Sequence, residues 1–448
     1  MKYLYHPEAF SPSNWAKSYW MDSAPEIAPF PALDKDDSCE IAVIGSGYSG
    51  MMAAYHLQQR HGVEVRVLEA AQPGWGASGR NGGFCCMGAA KLSYQQIIGR
   101  YGLDNARAFF QIQKESVAFV GSFLDEHQIA ADQTGQGEIS LAHKASIMED
   151  FRREQNFLRS TFTHETHLLT ADQLKEQGLK SSLFGGLHNP VGFGLHPLKY
   201  ARGLAEELRQ KNVKIYGDSP VLRWRRDGKY HILQTPNGSL KATQVVLATN
   251  GYTPEDLSED ARGKLLPALS SILVTRPLSE IEIKQQGWHS TTTVYDSRIL
   301  LHYFRLLPDG RFLFGGRGGT DASPEGRQAA EKHLRYDFEK MFPEWASVEH
   351  THFWQGFVCL TNDLIPYIGP LNMDRSAWAA LAYHGNGVAM ASWAGQALAD
   401  EIVGKDKGRS SALPAMLNRN FSRFPLPPLR LAYLKAAYLY YQLKDEWF

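Results

Sequence analysis

The sequence predicts an α/β fold in which a domain of parallel strands is interrupted by a second, mainly antiparallel α+β domain. Near the start of the chain, the apolar residues 41–44 lead into a glycine-rich turn and a helical pattern. Near the end, residues 378–382 lead into another small-residue loop and a helical pattern at residues 388–402. Between these units, strand-like runs such as residues 271–276 and 311–314 are typical of antiparallel pairing.

A nucleotide-binding unit is predicted at residues 41–69. Gly45, Gly47 and Gly50 complete a G-x-G-x-x-G pattern between the first strand and a helix. The first glycine allows a tight turn, the second lets the backbone approach a pyrophosphate, and the third lets the helix pack close to the strand. A second strand ends at Glu69, 19 residues after Gly50, where its carboxylate can accept hydrogen bonds from ribose hydroxyls. A glycine-rich turn of an unrelated α/β protein is the alternative, but the flanking strand, helix and acid favour a Rossmann-type dinucleotide site.

A second glycine-rich loop follows at residues 73–84 (PGWGASGRNGGF). A domain that binds only a nicotinamide dinucleotide does not need this loop, whereas a flavin dinucleotide needs further backbone contacts to its diphosphate and ring. Ser78, Arg80 and Asn81 are candidate donors, and the glycines let the loop lie against an isoalloxazine ring. A flexible surface loop is the alternative. The two loops together predict FAD as the cofactor.

The composition limits the class of protein. The 448 residues are enough for two or three domains and a large core, and the 47 basic and 47 acidic side chains give no indication of a nucleic-acid partner. The N-terminus lacks the basic region and long apolar run of a signal peptide. Four cysteines, without a metal-binding spacing, suit a reducing compartment. We therefore expect a cytoplasmic protein without a metal site or a disulfide framework.

Changes of pattern along the chain predict the domain boundaries. Residues 1–36 are polar and aromatic and are expected to form an arm on the surface. Asn237-Gly238 predicts a hairpin between strands at residues 231–235 and 244–248, and residues 245–251 (VVLATNG) end in a turn that again fits the dinucleotide fold. We predict a discontinuous FAD-binding domain at residues 37–95, 196–260 and 345–405, a substrate domain at residues 96–195 and 261–344, and a connector with a final helix at residues 406–448.

Several motifs together resemble the glycine oxidase and D-amino-acid oxidase superfamily of FAD enzymes, and within it the γ-glutamylputrescine oxidase-like branch. The resemblance covers nearly the whole chain. The motifs are Ser18-Tyr19-Trp20, GxGYxG at residues 45–50, GASGRNGG at residues 76–83, His196-Pro197-Leu198, LLHYFR at residues 300–305, residues 354–356, YHGNGV at residues 383–388 and the aromatic tail YLYYQLKD at residues 438–445.

The resemblance implies oxidation of a C–N bond. A free amine gives a hydride from its α-carbon to flavin N5, water hydrolyses the resulting imine, and oxygen takes the electrons to give hydrogen peroxide. Because the flavin carries the difficult step, no obligatory acid or base is expected. The expected partners are therefore a small amine and O2. Two alternatives stay open: a D-amino-acid or secondary-amine dehydrogenase that passes electrons to a quinone, and a flavin-binding protein without turnover.

Two departures from the family pattern concern the substrate and oxygen. The branch has S-G-H-G where this chain has His384-Gly385-Asn386-Gly387, so Asn386 takes the place of the family histidine that faces the substrate. His384, two residues earlier, is a candidate replacement. Monomeric sarcosine oxidases carry a lysine near the flavin on the strand that matches residues 311–314, where a gap-free match places Leu313. The identity of the amine and the reactivity toward oxygen are therefore left open.

Three further residues are candidates for substrate binding. Tyr303 and Arg305 alternate on a predicted strand and therefore share one face. Arg305 can clamp a substrate carboxylate or form a structural ion pair. Trp354 can form an aromatic wall for the amine or pack in the core. The predicted catalytic residues are Asn386, His384, Tyr303, Arg305 and Trp354.

Cys359 raises the hypothesis of covalent FAD. Monomeric sarcosine oxidases and pipecolate oxidases hold FAD through a cysteine in a G-x-V-C segment, and Cys359 falls at the matching place. The alternative is non-covalent FAD and an inert buried cysteine, which the rest of the chain favours; Cys85 and Cys86 are likewise expected to be buried rather than a redox pair. The residues predicted to bind FAD are Gly45, Ser46, Gly47, Ser49, Gly50, Glu69, Ala70, Ser78, Gly79, Arg80, Asn81, Gly82, Gly83, Val221, Thr249, Asn250, Gly251, Cys359, Gly385, Gly387 and Val388.

The final helix, predicted at residues 429–443, is apolar on almost all sides. Contact with a membrane surface is one interpretation of this pattern. A helix docked on the protein is the preferred one, because only Arg430, Lys435 and Lys444 are basic in this part of the chain.

Overall fold

Two large β-sheets organise the chain in the computed structural model, which describes residues 1–406 and 413–447. Residues 407–412 and 448, which fall in the predicted connector and tail, lie outside the described residues. The strands are β1 (Asp37–Ile44), β2 (Val65–Leu68), β3 (Phe84–Cys86), β4 (Glu138–Leu141), β5 (His167–Thr170), β6 (Gly185–Asn189), β7 (Gly192–Gly194), β8 (Lys214–Tyr216), β9 (Arg223–Asp227), β10 (Tyr230–Gln234), β11 (Ser239–Leu247), β12 (Leu265–Thr275), β13 (Thr293–Asp296), β14 (His302–Leu306), β15 (Phe312–Arg317), β16 (His350–Thr361), β17 (Tyr367–Pro370) and β18 (Ala377–Leu381).

The helices cover the faces of these sheets and connect them. Short 3-10 helices lie at Pro7–Phe10, Asn250–Tyr252, Pro343–Trp345 and Pro427–Leu429. The α-helices are α1 (Tyr19–Ser23), α2 (Tyr48–Gln59), α3 (Ala77–Arg80), α4 (Tyr94–Tyr101), α5 (Leu103–Glu126), α6 (Ile147–Phe162), α7 (Ala171–Glu176), α8 (Pro197–Gln210), α9 (Glu280–Gln286), α10 (Pro324–Met341), α11 (Gly387–Asp406) and α12 (Arg430–Trp447).

The first sheet has a parallel centre. Its strand order is β17-β18-β11-β1-β2-β8, and β18, β11, β1, β2 and β8 pair in parallel. Residues 41–44 of β1 are fully buried, as expected for an apolar strand covered on both faces. The predicted hairpin forms where β10 pairs antiparallel with β11 beside this sheet. The Rossmann-type prediction is therefore confirmed.

Two helices begin at the same edge of this sheet, because α2 follows β1 and α11 follows the parallel strand β18. They pack closely against each other: a Cβ on Gly395 would lie only 2.5 Å from the carbonyl oxygen of Ser49. The amino ends of both helices therefore face the space beyond the carboxyl ends of the strands, where α/β sheets bind nucleotides.

The second sheet is mainly antiparallel, as predicted. Its order is β16-β12-β15-β14-β13-β4-β6-β5, and only the pairing of β13 with β4 is parallel. A cluster of buried aromatic side chains, including Trp288, Phe304 and Phe312, fills one of its faces. The long pair β12 and β16 lies at one edge of this sheet.

Two details differ from the sequence predictions. Strand β16, inside the predicted FAD-binding segment of residues 345–405, pairs with β12 and belongs to the second sheet. That segment is therefore shared between the two sheets, and the remaining domain boundaries stay predictions. The sequence VLRW at residues 221–224 predicts a strand, but the strand of the structure begins at Arg223, so Val221 lies in the irregular segment that precedes it.

The last helix docks on β12. Leu434 packs against Leu266 and Ala268, and the buried Arg430 pairs with Glu255 (2.6 Å) and donates to the Leu265 carbonyl. Its other side leaves Leu439, Tyr440 and Leu443 exposed. Within residues 1–406 and 413–447, no helix is both long and apolar enough to cross a membrane.

Candidate active site

A cavity of about 500 Å³ lies between the two sheets, a volume in the range of small-molecule and cofactor sites. The turn after β1, the loop around α3 and the loop before α11 all line it. The second sheet contributes Tyr303 and Arg317 to the same cavity. Motifs that lie far apart in the sequence therefore line the same cavity.

The first glycine turn is shaped to bind an anion. Gly45 has a φ of +102°, and a Cβ on Gly50 would overlap the Gly45 carbonyl oxygen, so neither position tolerates a side chain. Helix α2 begins directly after Gly47, whose lack of a side chain keeps the approach open. Within the described chain, the amides of Ser49 and Gly50 have no acceptor. Free amides at a helix amino end are donors for a diphosphate.

Glu69 is held at the end of β2 by the same turn. Its carboxylate accepts hydrogen bonds from the Ser46 amide and hydroxyl, both 2.7 Å, and from the Ala71 amide at 3.1 Å. Glu69 lines the cavity beside Ala70, Val221 and Thr249. This combination of an oriented carboxylate, small residues and free amides fits the adenosine diphosphate part of FAD.

Three donors from three different segments hold successive carbonyls of the second glycine loop. The indole N–H of Trp354 on β16 donates to the Arg80 carbonyl (2.8 Å), and that of Trp20 in the N-terminal arm donates to the Asn81 carbonyl (2.9 Å). The Nε of Arg305 on β14 donates to the Gly82 carbonyl (3.3 Å). In a trans peptide, the N–H of Gly82 points away from the Asn81 carbonyl. This N–H has no acceptor among the described residues. The loop therefore presents this donor to the cavity.

Arg305 does not lie in the cavity, which contradicts its prediction as a carboxylate clamp. Only 1% of its surface is exposed, and its guanidinium also donates to the Leu195 carbonyl (2.6 Å) and the Thr134 hydroxyl (3.3 Å). Burial lowers its pKa to about 10. Because its acceptors are uncharged, the predicted alternative of a structural ion pair is also wrong. Arg305 positions the second glycine loop.

Trp354 does not line the cavity either, so the prediction that it forms an aromatic wall for the amine is wrong. Its side chain packs in the core, which was the alternative. The ring is 1% exposed and packs edge-on against Trp20, with centroids 6.1 Å apart. Leu313 is buried in the same apolar cluster as Trp20 and Trp354. In a gap-free match, this is the position of the sarcosine oxidase lysine. The sequence resemblance identified Trp354, but its hydrogen bond to the Arg80 carbonyl shows that it supports the second glycine loop from outside the cavity.

Tyr303 lies in the cavity as predicted. Its ring fills the space beside Gly82 and Gly315, where a Cβ on Gly82 would approach the ring to 2.8 Å. Its hydroxyl bonds to the Ser270 hydroxyl (2.9 Å), and burial raises its pKa to about 12. Tyr303 is therefore a neutral hydrogen-bonding group on the wall that the second sheet supplies.

His384 and Asn386 also line the cavity, in the loop before α11. His384 is fully buried at a φ of +53°, its Nε2 lies 3.3 Å from the Thr361 hydroxyl, and its Nδ1 has no partner. Burial, assisted by the charge of Lys91, lowers its pKa to about 3, so the imidazole is neutral. The amide nitrogen of Asn386 donates to the Met87 (2.6 Å) and Gly88 (3.2 Å) carbonyls. Asn386 thus fixes the neighbouring loop rather than presenting a free donor.

Two basic residues in the cavity were not predicted. Lys91 follows β3, and Arg317 ends β15. The Lys91 side chain is exposed within the cavity, but the protein around it lowers its pKa below the ordinary value, and the charge of Arg317 lowers it further. Burial lowers the pKa of Arg317 as well. Neither belongs to a motif, and only the pairing of distant segments brings them together.

Acidic and aromatic side chains close the other end of the cavity, and none of them was predicted. They come from four separate elements: Tyr94 on α4, Glu138 on β4, Glu154 on α6 and Tyr295 on β13. Desolvation by the surrounding protein raises the pKa values of all four groups, although Glu154 is an exposed residue of α6. A single sequence gives no signal for such a set, since no two of its members share an element.

The cysteines are free and mostly buried. Cys359 lines the cavity, and burial raises the pKa of its thiol, as it does for Cys85 and Cys86. A protonated thiol is a weak nucleophile. Non-covalent FAD stays a prediction, with the covalent link through Cys359 as its alternative.

The predicted FAD-binding residues divide into those that face the cavity and those that allow close packing around it. Gly50, Gly79, Gly83 and Gly251 do not line the cavity, and a Cβ on Gly79 would overlap the Gly74 carbonyl oxygen just as one on Gly50 would overlap that of Gly45. Those that line it are Gly45, Ser46, Gly47, Ser49, Glu69, Ala70, Ser78, Arg80, Asn81, Gly82, Val221, Thr249, Asn250, Cys359, Gly385, Gly387 and Val388.

Comparison with known proteins agrees with this geometry. Residues 40–401 match the profile of the DAO family, described as FAD dependent oxidoreductase. The chain is 28% identical to γ-glutamylputrescine oxidoreductase of Escherichia coli (strain K12), over 96% of this chain and 98% of the relative. It is 29% identical to the probable oxidoreductase OrdL of Haemophilus influenzae, over 89% of this chain and 90% of the relative. The glycine oxidase of Geobacillus kaustophilus shares the fold, with a TM-score of 0.67 and 20% identity over 87% of this chain and 99% of that chain.

Proposed function

This chain belongs to the DAO family of FAD-dependent oxidoreductases, which act on amines and amino acids, and from this premise we propose that it oxidises the C–N bond of a free amine with molecular oxygen as the electron acceptor. One observation carries the proposal. The amides of the first glycine turn, the second glycine loop and the polar groups Tyr303 and Lys91 all face one cavity. A cofactor and a small substrate can therefore meet there.

The residues that would hold FAD are those of the two glycine loops, together with Glu69 and the start of α11. When bound, FAD accepts a hydride from the carbon next to the amine nitrogen, and the resulting imine is hydrolysed by water. The protein supplies the orientation of the substrate and the charge around it. We propose non-covalent FAD, since burial keeps the thiol of Cys359 protonated.

The basic residues of the cavity favour the reactive form of the substrate. A carbon next to an ammonium gives up a hydride poorly, so the amine must first lose a proton. The positive charge of Arg317 lowers the pKa of a cation bound nearby, and Lys91, whose own pKa is well below the ordinary value, can accept the proton. We propose this role for Lys91, although the family resemblance implies no obligatory base.

A dehydrogenase that passes its electrons to a quinone is the second candidate. Monomeric sarcosine oxidases carry a lysine near the flavin where this chain has Leu313, and that side chain is buried away from the cavity. The cytoplasmic location stays a prediction, as does the absence of a nucleic-acid partner.

Anaerobic titration with a panel of amines and amino acids tests the proposed function. We expect at least one amine to bleach the flavin absorption band, and air to restore the band with release of one hydrogen peroxide per amine. Restoration by a quinone or dye but not by air would favour the dehydrogenase. No bleaching by any member of the panel would favour a flavin-binding protein without turnover. Lys91→Met is expected to slow bleaching at neutral pH and to have little effect at a pH where the amine is already neutral.

A further inference from the structure

The acidic end of the cavity contains a buried carboxylate without a positive partner. Glu138 lines the cavity and is only 8% exposed. Burial raises its pKa to about 8, and no Lys, Arg or His side chain among the described residues lowers it. The Cys86 thiol is the one group whose contact favours its ionised form. A carboxylate in such a place is strongly unfavourable unless a cation pairs with it.

A second carboxylate faces the same space from another element. The charge of Glu154 on α6 raises the pKa of Glu138, and both carboxylates raise the pKa values of Tyr94 and Tyr295. The four groups therefore lie within each other's electric field at one end of the cavity. Two carboxylates that disfavour each other's ionisation are both stabilised when one cation binds between them.

The rest of this end of the cavity is shaped for an uncharged chain. Phe110 and Leu158, both buried, line the cavity as well: the ring of Phe110 lies 5.3 Å from that of Tyr94, and Leu158 follows Glu154 by one turn of α6. The rings of Tyr94 and Tyr295 can also contact a cation through their faces. Neither Lys91 nor Arg317 is among the groups that shift the pKa of Glu138, so these two cations do not neutralise its carboxylate.

We propose that Glu138 and Glu154 bind a second ammonium group of the substrate, so that this enzyme acts on a linear amine that carries two basic nitrogens separated by an alkyl chain. One nitrogen is attached to the carbon that is oxidised, and the other stays protonated between the two carboxylates. The proposal rests on the proposed amine oxidation and names the substrate class. Tyr94 and Tyr295 complete the subsite, and the apolar wall contacts the methylene groups.

A matched pair of amines tests the subsite on the FAD-loaded protein. 1,5-Diaminopentane and n-hexylamine have the same number of non-hydrogen atoms and differ in the second nitrogen. The concentration dependence of anaerobic flavin bleaching gives an apparent Kd and a limiting rate for each. We expect the diamine to bind at least about tenfold more tightly, as a charge-assisted contact implies. Equal Kd values for the two amines in the unaltered protein would overturn the proposal.

Three variants locate the effect. Glu138→Gln and Glu154→Gln are each expected to raise the Kd of the diamine by about tenfold and to leave the Kd of n-hexylamine within about twofold. Glu149→Gln is the control, because Glu149 is exposed on α6 like Glu154 but does not line the cavity, and it pairs with Arg152 (2.7 Å). Equal weakening of both amines would show a structural role for the two carboxylates and would also overturn the proposal.

A melting experiment separates this proposal from the proposed function. If no amine bleaches the flavin, the proposed oxidation fails, but binding to the subsite is still measurable. 1,5-Diaminopentane is then expected to raise the Tm of the unaltered protein and of Glu149→Gln, and to have no effect on Glu138→Gln or Glu154→Gln. The same rise in Tm for all four proteins would contradict the subsite.

Discussion

Gly47 is the residue at which the backbone must leave room for the cofactor. A Cβ there would lie 3.1 Å from the Ser78 hydroxyl, which itself accepts the amide of Tyr48 at the start of α2. A branched side chain would enter the space that a pyrophosphate needs. We expect Gly47→Val to retain less than about a tenth of the FAD of the unaltered protein, as measured by the flavin absorbance of the purified chain.

Gly99 provides the control for this substitution. It lies in α4, and a Cβ there would meet no atom within 4 Å. Gly99→Ala should keep its full FAD content, because the change is confined to a helix surface away from the cavity. Full occupancy in Gly47→Val would remove the first glycine turn from the FAD site.

Cys359 permits a decisive test of how FAD is held. Since burial raises the pKa of its thiol, we expect acid precipitation to leave a colourless pellet, with all FAD in the supernatant. Cys359→Ala should therefore bind as much FAD as the unaltered chain. A yellow pellet, together with an increase in intact mass by one FAD, would show the thioether instead.

Residue spacing in the sequence predicted the residues around FAD better than those around the substrate. Gly45 and Glu69 belong to one continuous unit, so their positions follow from the sequence alone. Arg305 shares a strand face with Tyr303, but the alternation of side chains does not reveal that Leu195 and Gly82 cover the outer part of that face. Lys91 and Glu138 were missed because their neighbours come from distant segments.

The second glycine loop is an element that depends on its supports. Trp20 and Trp354 each satisfy one of its carbonyls, and loss of either N–H would leave a carbonyl without a donor. We expect Trp20→Phe and Trp354→Phe each to increase the Kd of FAD by about fivefold, the equivalent of about 1 kcal/mol. Equilibrium dialysis of FAD against the purified variants measures the change.

Trp378→Phe is the matched control for the loop. Trp378 is equally buried, but its indole N–H donates to Gln244 (2.9 Å) in the first sheet and does not touch the loop. Its substitution should lower the Tm without changing the affinity for FAD. If all three variants weaken FAD equally, the carbonyl supports have no specific role.

An ion pair around His302 links two strands of the second sheet to helix α10. His302 on β14 lies between Asp296 at the end of β13 (2.9 Å) and Asp337 on α10 (3.1 Å). Burial lowers the pKa of His302, but the two carboxylates raise it by more, to about 9. Because this value exceeds the ordinary 6.5, the charged imidazole stabilises the fold below pH 6.5, and this stabilisation is lost as the pH rises through 9.

We therefore expect His302→Gln to lower the free energy of unfolding by about 2–3 kcal/mol at pH 6 and by much less at pH 10. Denaturant titrations at the two pH values measure this difference. His333→Gln is the control, because His333 approaches the same Asp337 (3.5 Å) from an exposed position. A difference between the unaltered protein and His302→Gln that widens with pH would contradict the account.

The positions of the strands and helices were largely predictable from the sequence, but the pairing of the strands was not. The apolar residues of β1 and the Asn237-Gly238 hairpin have local patterns that specify a strand or a turn. Strand β16 has apolar residues on both faces, and such a strand fits either sheet equally well. Its pairing with β12 is a long-range contact that no local pattern encodes.

At the scale of the whole molecule, the cavity exists because the chain passes between two sheets more than once. The first sheet supplies the glycine turn and Glu69, and the second supplies Tyr303 and Glu138. The sequence pattern predicted a discontinuous FAD-binding domain and a second, antiparallel substrate domain. It did not predict that Lys91, Arg317, Glu138 and Glu154 line the cavity, because these residues lie outside the shared motifs.

The rate at which a bound amine bleaches the flavin, measured without oxygen and as a function of pH, distinguishes amine oxidation from flavin binding without turnover. We expect this rate to rise with pH through an apparent amine pKa and to fall severalfold with deuterium on the reacting carbon, because the neutral amine loses its hydride from that carbon. A rate that is independent of pH and of deuterium, or the absence of bleaching by any amine, would contradict amine oxidation in this cavity.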